Sequence, residues 1–257
     1  MIYIEINFKF VQTSKHHKMK HEFIVRASSM GAIMTKPRSK SEILSETTKK
    51  EIHKTILFNK YGIEDEFSSK PTDKGIMNEP EGIKLASDVL GWFGIPEKKT
   101  RLINDWVTGE PDVYKKSILI GDIKNSFSGN TFPFFEFNEV PNTGYFWQMQ
   151  SYMWLDGEIN ESELVYVLTN TPEQMVLDMI QKKIWKMLPD PQYSNYSPNE
   201  IEEMAEQHIR SQHNFDHIPK EKRIRKYVIQ RDNDAIEQMK NQITLCRAYY
   251  DEVYSKI

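Results

Sequence analysis

The stretch Gly109-Glu110-Pro111-Asp112-Val113-Tyr114-Lys115-Lys116-Ser117-Ile118-Leu119-Ile120-Gly121-Asp122-Ile123-Lys124 decides how this chain is read. Gly109–Tyr114 leads through Lys115–Lys116 into a β-rich apolar run that ends in charge, the pattern of two short strands joined as a hairpin. Residues two apart on a strand share a face, so Asp122 and Lys124 point one way and Ile123 points the other way, into the core. The hairpin brings Asp112 alongside Asp122. A carboxylate and an ammonium at the end of a buried strand are costly unless a ligand or partner satisfies them. Two convergent carboxylates are hard oxygen donors suited to Mg²⁺ or Mn²⁺, and Glu79 can arrive from the preceding helix as a third. Such an ion polarises a phosphate, stabilises developing charge and helps generate hydroxide. Lys124 then orients or deprotonates water, with its pKa lowered beside a cation, or stabilises the transition state. Taken alone, Asp-x-Lys also fits a plain surface ion pair at a strand end.

Outward from the hairpin, strands and helices intermix. Residues 1–13 alternate like a strand, as half of a hairpin returning through Glu22–Arg26, and Ser28 and Ser29 are placed to cap the next element. Ser41–Leu57 reads as helix, Gly62–Asp73 as loop, and Lys74–Phe93 as a helix that Pro80 kinks or starts late. Beyond an aromatic loop, Phe127–Phe137, helices are expected over Gly144–Leu155, Pro172–Leu188, Asn199–Gln212 and Asn233–Tyr254. Strands are expected over Glu163–Thr169 and Ile224–Gln230. This order predicts an α/β (α+β) fold with a central mixed β-sheet flanked by helices.

At 257 residues and 28% charged side chains, the chain can bury a sizeable core and is not globally disordered. No apolar run approaches the roughly 20 residues that cross a bilayer, and the first ten residues lack the apolar block of a signal peptide. The one cysteine, Cys246, fits a reducing, cytoplasmic setting, the host cytoplasm if the chain is phage-encoded. Of 34 Lys/Arg and 37 Asp/Glu, residues 1–60 carry 12 and 5, leaving 22 and 32 for the rest. A basic arm on an acidic body suits phosphate contacts at one end and carboxylates at the other, although a solvated lysine-rich face explains the same numbers.

Four segments then carry a family resemblance. Asp112 after Pro111, followed by Asp122-Ile123-Lys124, resembles the PD-(D/E)XK nuclease signature. Lys74-Gly75-Ile76-Met77-Asn78-Glu79-Pro80-Glu81 resembles the G-x-x-x-E-P helix motif of the phage lambda exonuclease and YqaJ-like viral recombinase group. Tyr145–Trp154 resembles that group's Q-x-Q helix, and Arg26-Ala27-Ser28-Ser29-Met30-Gly31 its Ser-containing turn. The segments stand in the family's order over roughly residues 26–155. The resemblance implies a restriction-endonuclease-like core, with Glu79, Asp112, Asp122 and the Ile123 carbonyl as metal ligands and Lys124 as the catalytic lysine. It implies that Gln148 supports the site, with Tyr152 one helical turn later, and that Arg26, Ser28 and Ser29 anchor phosphate. Gln148 and Tyr152 also fit a core-facing polar pair. Two departures weaken the phosphate pocket. Glu110-Pro111-Asp112-Val113 replaces the group's Ser-Pro-Asp-Gly, and Ser126–Asn130 lacks the Arg that lambda exonuclease places after its lysine.

Other features have plainer readings. Phe127, Phe132, Phe134, Phe135 and Phe137 can stack bases but more often pack a loop. His16, His17 and His21 fit a solvated arm better than a metal cluster, and the basic segment Lys220–Arg231 fits a phosphate track or a charge-protected strand edge equally. The expectation is one nuclease domain over 1–257, with a basic arm to about residue 60, a catalytic core to about 170 and a C-terminal extension beyond. Its activity is hydrolysis of DNA phosphodiesters, resecting duplex ends for a single-strand-annealing recombinase, as a homo-oligomer such as a trimer. An endonuclease or single-strand-specific nuclease on the same core is the first alternative, and a non-cutting DNA-binding module is the second.

Overall fold

The computed structural model describes residues 22–64, 69–92 and 100–257. The expected strand over 1–13 and the three histidines at 16, 17 and 21 lie outside them. The described chain begins with β1 (Val25–Arg26), a 3-10 turn at Ala27–Ser29 and the short α1 (Met30–Ile33). Ser29 stands at the start of α1, but its hydroxyl makes no capping bond. Ser45 caps the next helix instead: it accepts from the Thr48 amide at 3.0 Å and opens α2 (Glu46–Tyr61).

Two helices occupy the region expected as a loop and one helix that Pro80 kinks or starts late. In α3 (Lys70–Met77) the Ser69 side chain caps and Pro71 sits in the first turn, so the helix starts inside the expected loop. Asn78 ends it, and α4 (Glu79–Leu90) starts at once with Pro80 in its own first turn. Pro80 therefore starts a helix rather than kinking one, since its missing N–H costs nothing there.

β2 (Leu102–Ile103) and β3 (Val107–Gly109) form a small hairpin, and β3 also takes β1 as a parallel neighbour, with Val25 opposite Val107. The larger sheet holds β4 (Val113–Lys115), β5 (Leu119–Asn125), β6 (Glu161–Val167) and β7 (Ile224–Gln230) in that order. β4 and β5 are antiparallel, β5 and β6 parallel, β6 and β7 antiparallel. The parallel step needs a crossover, and α5 (Thr143–Asp156) supplies it. α6 (Glu173–Met187) and α7 (Pro198–His213) pack on each other between β6 and β7, and α8 (Asn233–Lys256) closes the chain.

Helices cover both faces of the larger sheet. Leu85 and Ala86 of α4 pack with Ile123, Val165 and Val167 on one face. The main core on the other side joins Met149, Tyr152 and Met153 of α5 to Ile120, Leu164 and Tyr227. Phe23, Val25, Ile52 and Ile56 belong to that core together with Ile243, Cys246 and Tyr250 of α8. Residues 22–61, expected as part of a basic arm, are thus built into the body of the fold. Close approach of the backbones seats this segment on α5: a Cβ at Gly31 would lie 2.6 Å from the Gly144 Cα.

Candidate active site

The hairpin register places Val113 opposite Gly121, so Asp112 and Asp122 come opposite each other at the next position. Asp112 accepts a hydrogen bond from the Ile123 N–H at 2.7 Å. Ile123 turns its side chain into the α4 layer, as the strand period requires. Asp122 and Lys124 face α5 instead. The Lys124 Nζ lies 2.6 Å from Asp122 Oδ2 and donates to Gln148 Oε1 at 3.2 Å. The Gln148 amide nitrogen donates to Asp122 Oδ1 at 2.9 Å and to the Tyr152 hydroxyl at 3.0 Å. One glutamine therefore holds both members of the ion pair, and Tyr152 adds a 3.4 Å bond to Asp122 Oδ1. Gln148 and Tyr152 are a turn apart on the buried face of α5, where their shared direction puts them against β5.

Electrostatics follow from the burial. Burial pushes the Asp112 carboxyl up to about 7, the Asp122 charge adds to that, and the Ile123 N–H only partly offsets it. Burial alone would lower the Lys124 ammonium, but the Asp122 carboxylate outweighs it and holds the group above its ordinary range. Burial, and then the Asp122 charge, keep Tyr152 protonated well beyond the usual phenol range.

Asp122 Oδ2 is buried and has no donor in hydrogen-bond geometry; the Lys124 ammonium is its close ionic neighbour. Two mutually repelling carboxylates side by side in the cleft form a donor set that a hard divalent cation fits. Glu79, at the start of α4, lines the same cleft, and its charge acts on Asp112. Among the described residues, however, no three His, Cys, Asp or Glu side chains are gathered closely enough to hold a metal ion. The hairpin gathers two carboxylates, and Glu79 stands on the wall beside them.

The cleft encloses about 610 Å³, far more room than an ion needs, and its other walls are Gly75, Ile76, Ser126, Thr131, Tyr145 and Tyr166. Tyr145, which sequence reasoning left unassigned, carries the Lys124 Nζ 4.4 Å above its ring centre. Its signal was available: it precedes Gln148 by three residues on the same helix face. Arg26 and Ser29 line a different cavity, with Lys54 and Arg101, and Ser28 is exposed on the surface. The structure does not bring these three to the carboxylates; their neighbour Ala27 is buried and lies close to Gly109.

The aromatic loop divides. Phe132 is core and Phe134 packs on it at 4.7 Å, whereas Phe135 and Phe137 are exposed. In the basic segment, Lys220 meets Asp88, Arg223 meets Asp216 and Lys226 meets Glu163, so much of its charge is answered internally.

A mixed sheet with helices on both faces and an antiparallel hairpin bearing Asp112, Asp122 and Lys124 is a restriction-endonuclease-like core. Among solved structures, the chain is similar to a phage related exonuclease from Haemophilus somnus 129PT, at 28% identity and a TM-score of 0.67, over 91% of this chain and 96% of that one. It has the fold of an alkaline exonuclease, LHK-Exo, from Laribacter hongkongensis, at 15% identity and a TM-score of 0.56 over 91% and 90% of the two chains. The same enzyme in complex with dAMP matches at 15% identity and a TM-score of 0.54 over the same shares. These neighbours bear out the resemblance to the phage lambda exonuclease group. No known family profile and no curated protein matches the sequence. Among the described residues, no helix is long and apolar enough to cross a membrane.

Proposed function

We propose that the chain is a metal-dependent DNA nuclease of the PD-(D/E)XK type, and within that class an exonuclease that resects duplex ends. The observation that carries this reading is the pairing of Asp112 with Asp122 across the hairpin, with Lys124 on the same strand face 2.6 Å from Asp122. Likeness to exonucleases over nine tenths of the chain supports the same conclusion. Asp112 and Asp122, with Glu79 and the Ile123 carbonyl, would hold Mg²⁺ or Mn²⁺. Such an ion, when bound, polarises the phosphate and lowers the pKa of a water.

The chain's own residues do the rest. Lys124, held beside Asp122, presents its Nζ to the attacking water or to phosphoryl oxygens as negative charge builds on them. Gln148 fixes the rotamers of Lys124 and Asp122 together, so neither has to be ordered when substrate arrives. Tyr152 stays a donor and holds Asp122 Oδ1 in place. Arg26, Ser28 and Ser29 belong to a second contact area along the strand rather than to the cutting centre. A single-strand-annealing recombinase as consumer of the exposed strand, and a homotrimer as the working assembly, complete the proposal.

The test is digestion of 5′-phosphorylated linear duplex and closed circular duplex with Mg²⁺ or Mn²⁺, alongside Lys124→Ala. Loss of the linear DNA alone, abolished by the substitution, is the expected result. Cleavage of circles would move the chain to the endonucleases. No metal-dependent cutting of either substrate would overturn the reading.

A further inference from the structure

Asn78 occupies the one residue between α3 and α4, directly before Glu79. An asparagine at a helix start ordinarily turns its side chain back to cap the helix. Asn78 does not; its side chain makes no capping bond. It is 5% exposed, and its amide nitrogen donates instead to the Thr169 hydroxyl at 2.8 Å and to the Asn170 carbonyl, just past the end of β6. The Thr169 hydroxyl donates onward to Asn125 Oδ1 at 3.1 Å, and Asn125 is the neighbour of Lys124 on β5. One turn before Asn78, Lys74 is fully buried, although it is a lysine. Its ammonium donates to the carbonyls of Thr169 at 2.8 Å and Phe127 at 3.1 Å, while burial pulls its pKa down to about 8. At Gly82, one turn after Asn78, a Cβ would strike the Asn125 side chain at 2.8 Å.

Each of these contacts ties the α3–α4 junction to the exits of β5 and β6. None lies on the carboxylates themselves. Burying a lysine is a costly way to hold a helix. What the ties do fix is where α4 begins, and therefore where Glu79 stands relative to the hairpin that bears Asp112 and Asp122.

We infer that Lys74, Asn78 and Thr169 form a polar clamp that holds Glu79 on the cleft wall beside Asp112 and Asp122, where its charge strengthens their hold on a divalent cation. They are positioning residues that set metal affinity and leave the chemistry of cutting to the cleft. The inference rests on the metal-dependent reading above.

The test compares Asn78→Ala, Thr169→Val and Thr169→Ser with the wild type. Mn²⁺ binding is followed by calorimetry on the DNA-free protein, and cutting is followed as a function of Mg²⁺. Residues that orient ligands from behind typically change metal affinity by roughly 10–100-fold when lost. Asn78→Ala and Thr169→Val should bind Mn²⁺ about tenfold more weakly and need correspondingly more Mg²⁺, with kcat at saturating metal little changed. Thr169→Ser, which keeps the hydroxyl, should stay close to wild type. If Asn78→Ala does not fold, the nearly isosteric Thr169→Val and Thr169→Ser pair decides. A lowered denaturation midpoint with unchanged Mn²⁺ affinity would make the clamp merely structural and overturn the proposal. Wild-type protein that binds no Mn²⁺ would instead remove the metal-dependent reading itself, and the clamp with it.

Discussion

The two faces of β5 meet opposite fates. Toward α4, Ile123 is enclosed by Leu85, Ala86, Val165 and Val167, all apolar. Toward α5, Asp122 and Lys124 sit among Gln148, Tyr152 and Tyr145, all polar or aromatic. One face contributes stability by removing apolar surface from water. The other spends stability, because buried charges stay tolerable only while each has a partner. A single strand can do both because its side chains alternate, so the polar site is backed at every second residue by core.

Substitutions can break this contrast or sharpen it. The largest expected effect is on the polar face: Asp122→Asn should lower cutting by about 10²–10³-fold or more, as loss of one electrostatic stabiliser does. Its denaturation midpoint should fall as well, because the Lys124 ammonium loses its 2.6 Å partner. Measuring both on one preparation checks the claim, and a folded variant that still cuts at the wild-type rate would sink it. On the apolar face, Ile123→Ala should cost about 2–4 kcal/mol of stability in denaturant titration. Cutting per folded molecule at low temperature should change far less than with Asp122→Asn.

A smaller effect separates Gln148 from Gln150, two residues apart on α5 and so on opposite sides of the helix. Gln150 donates to the Gln230 carbonyl at 2.7 Å and accepts from the Asp232 amide at 2.9 Å, bracing the turn into α8. Gln150→Ala should therefore cost about 1–3 kcal/mol by leaving both groups unpaired. Gln148→Ala should lower cutting with less effect on stability. The smallest effect concerns Cys246, whose thiol burial pushes up to about 12. The thiolate is the reactive form, so labelling falls as pH drops below that value. An alkylating reagent at pH 8 should leave Cys246 unmodified in the native protein and label one thiol per chain in denaturant.

The hairpin was legible because its information is local. A period of two assigns Asp122, Ile123 and Lys124 to faces, and a short connection fixes the register with Asp112. Gln148 and Tyr152 came into view through the resemblance of Tyr145–Trp154 to a Q-x-Q helix, and helical spacing added only that they share a face. The start of α3 was written in Ser69-Lys70-Pro71, a cap followed by a first-turn proline, but the polar composition around it read as loop. The Lys74–Thr169 contact left no such trace. It joins residues 95 positions apart, and a lysine in a polar context reads as solvated until the fold buries it. The parallel pairing of Val25 with Val107 is equally remote, since nothing in a two-residue strand specifies its neighbour.

The contact between Gly31 and Gly144 gives the molecule a tuning point outside the cleft. Gly144 stands one turn before Gln148, and Gln148 one turn before Tyr152, so the three share a face of the same stiff rod. A methyl group at position 31 has no room, so either the short α1 or that rod must shift. A shift of α5 would reach Asp122 and Lys124 through Gln148, without replacing any side chain of the cleft. Evolution, or an engineer, thus has a coarse screw at the far end of α5 with which to retune the cutting centre, one carbon atom at a time.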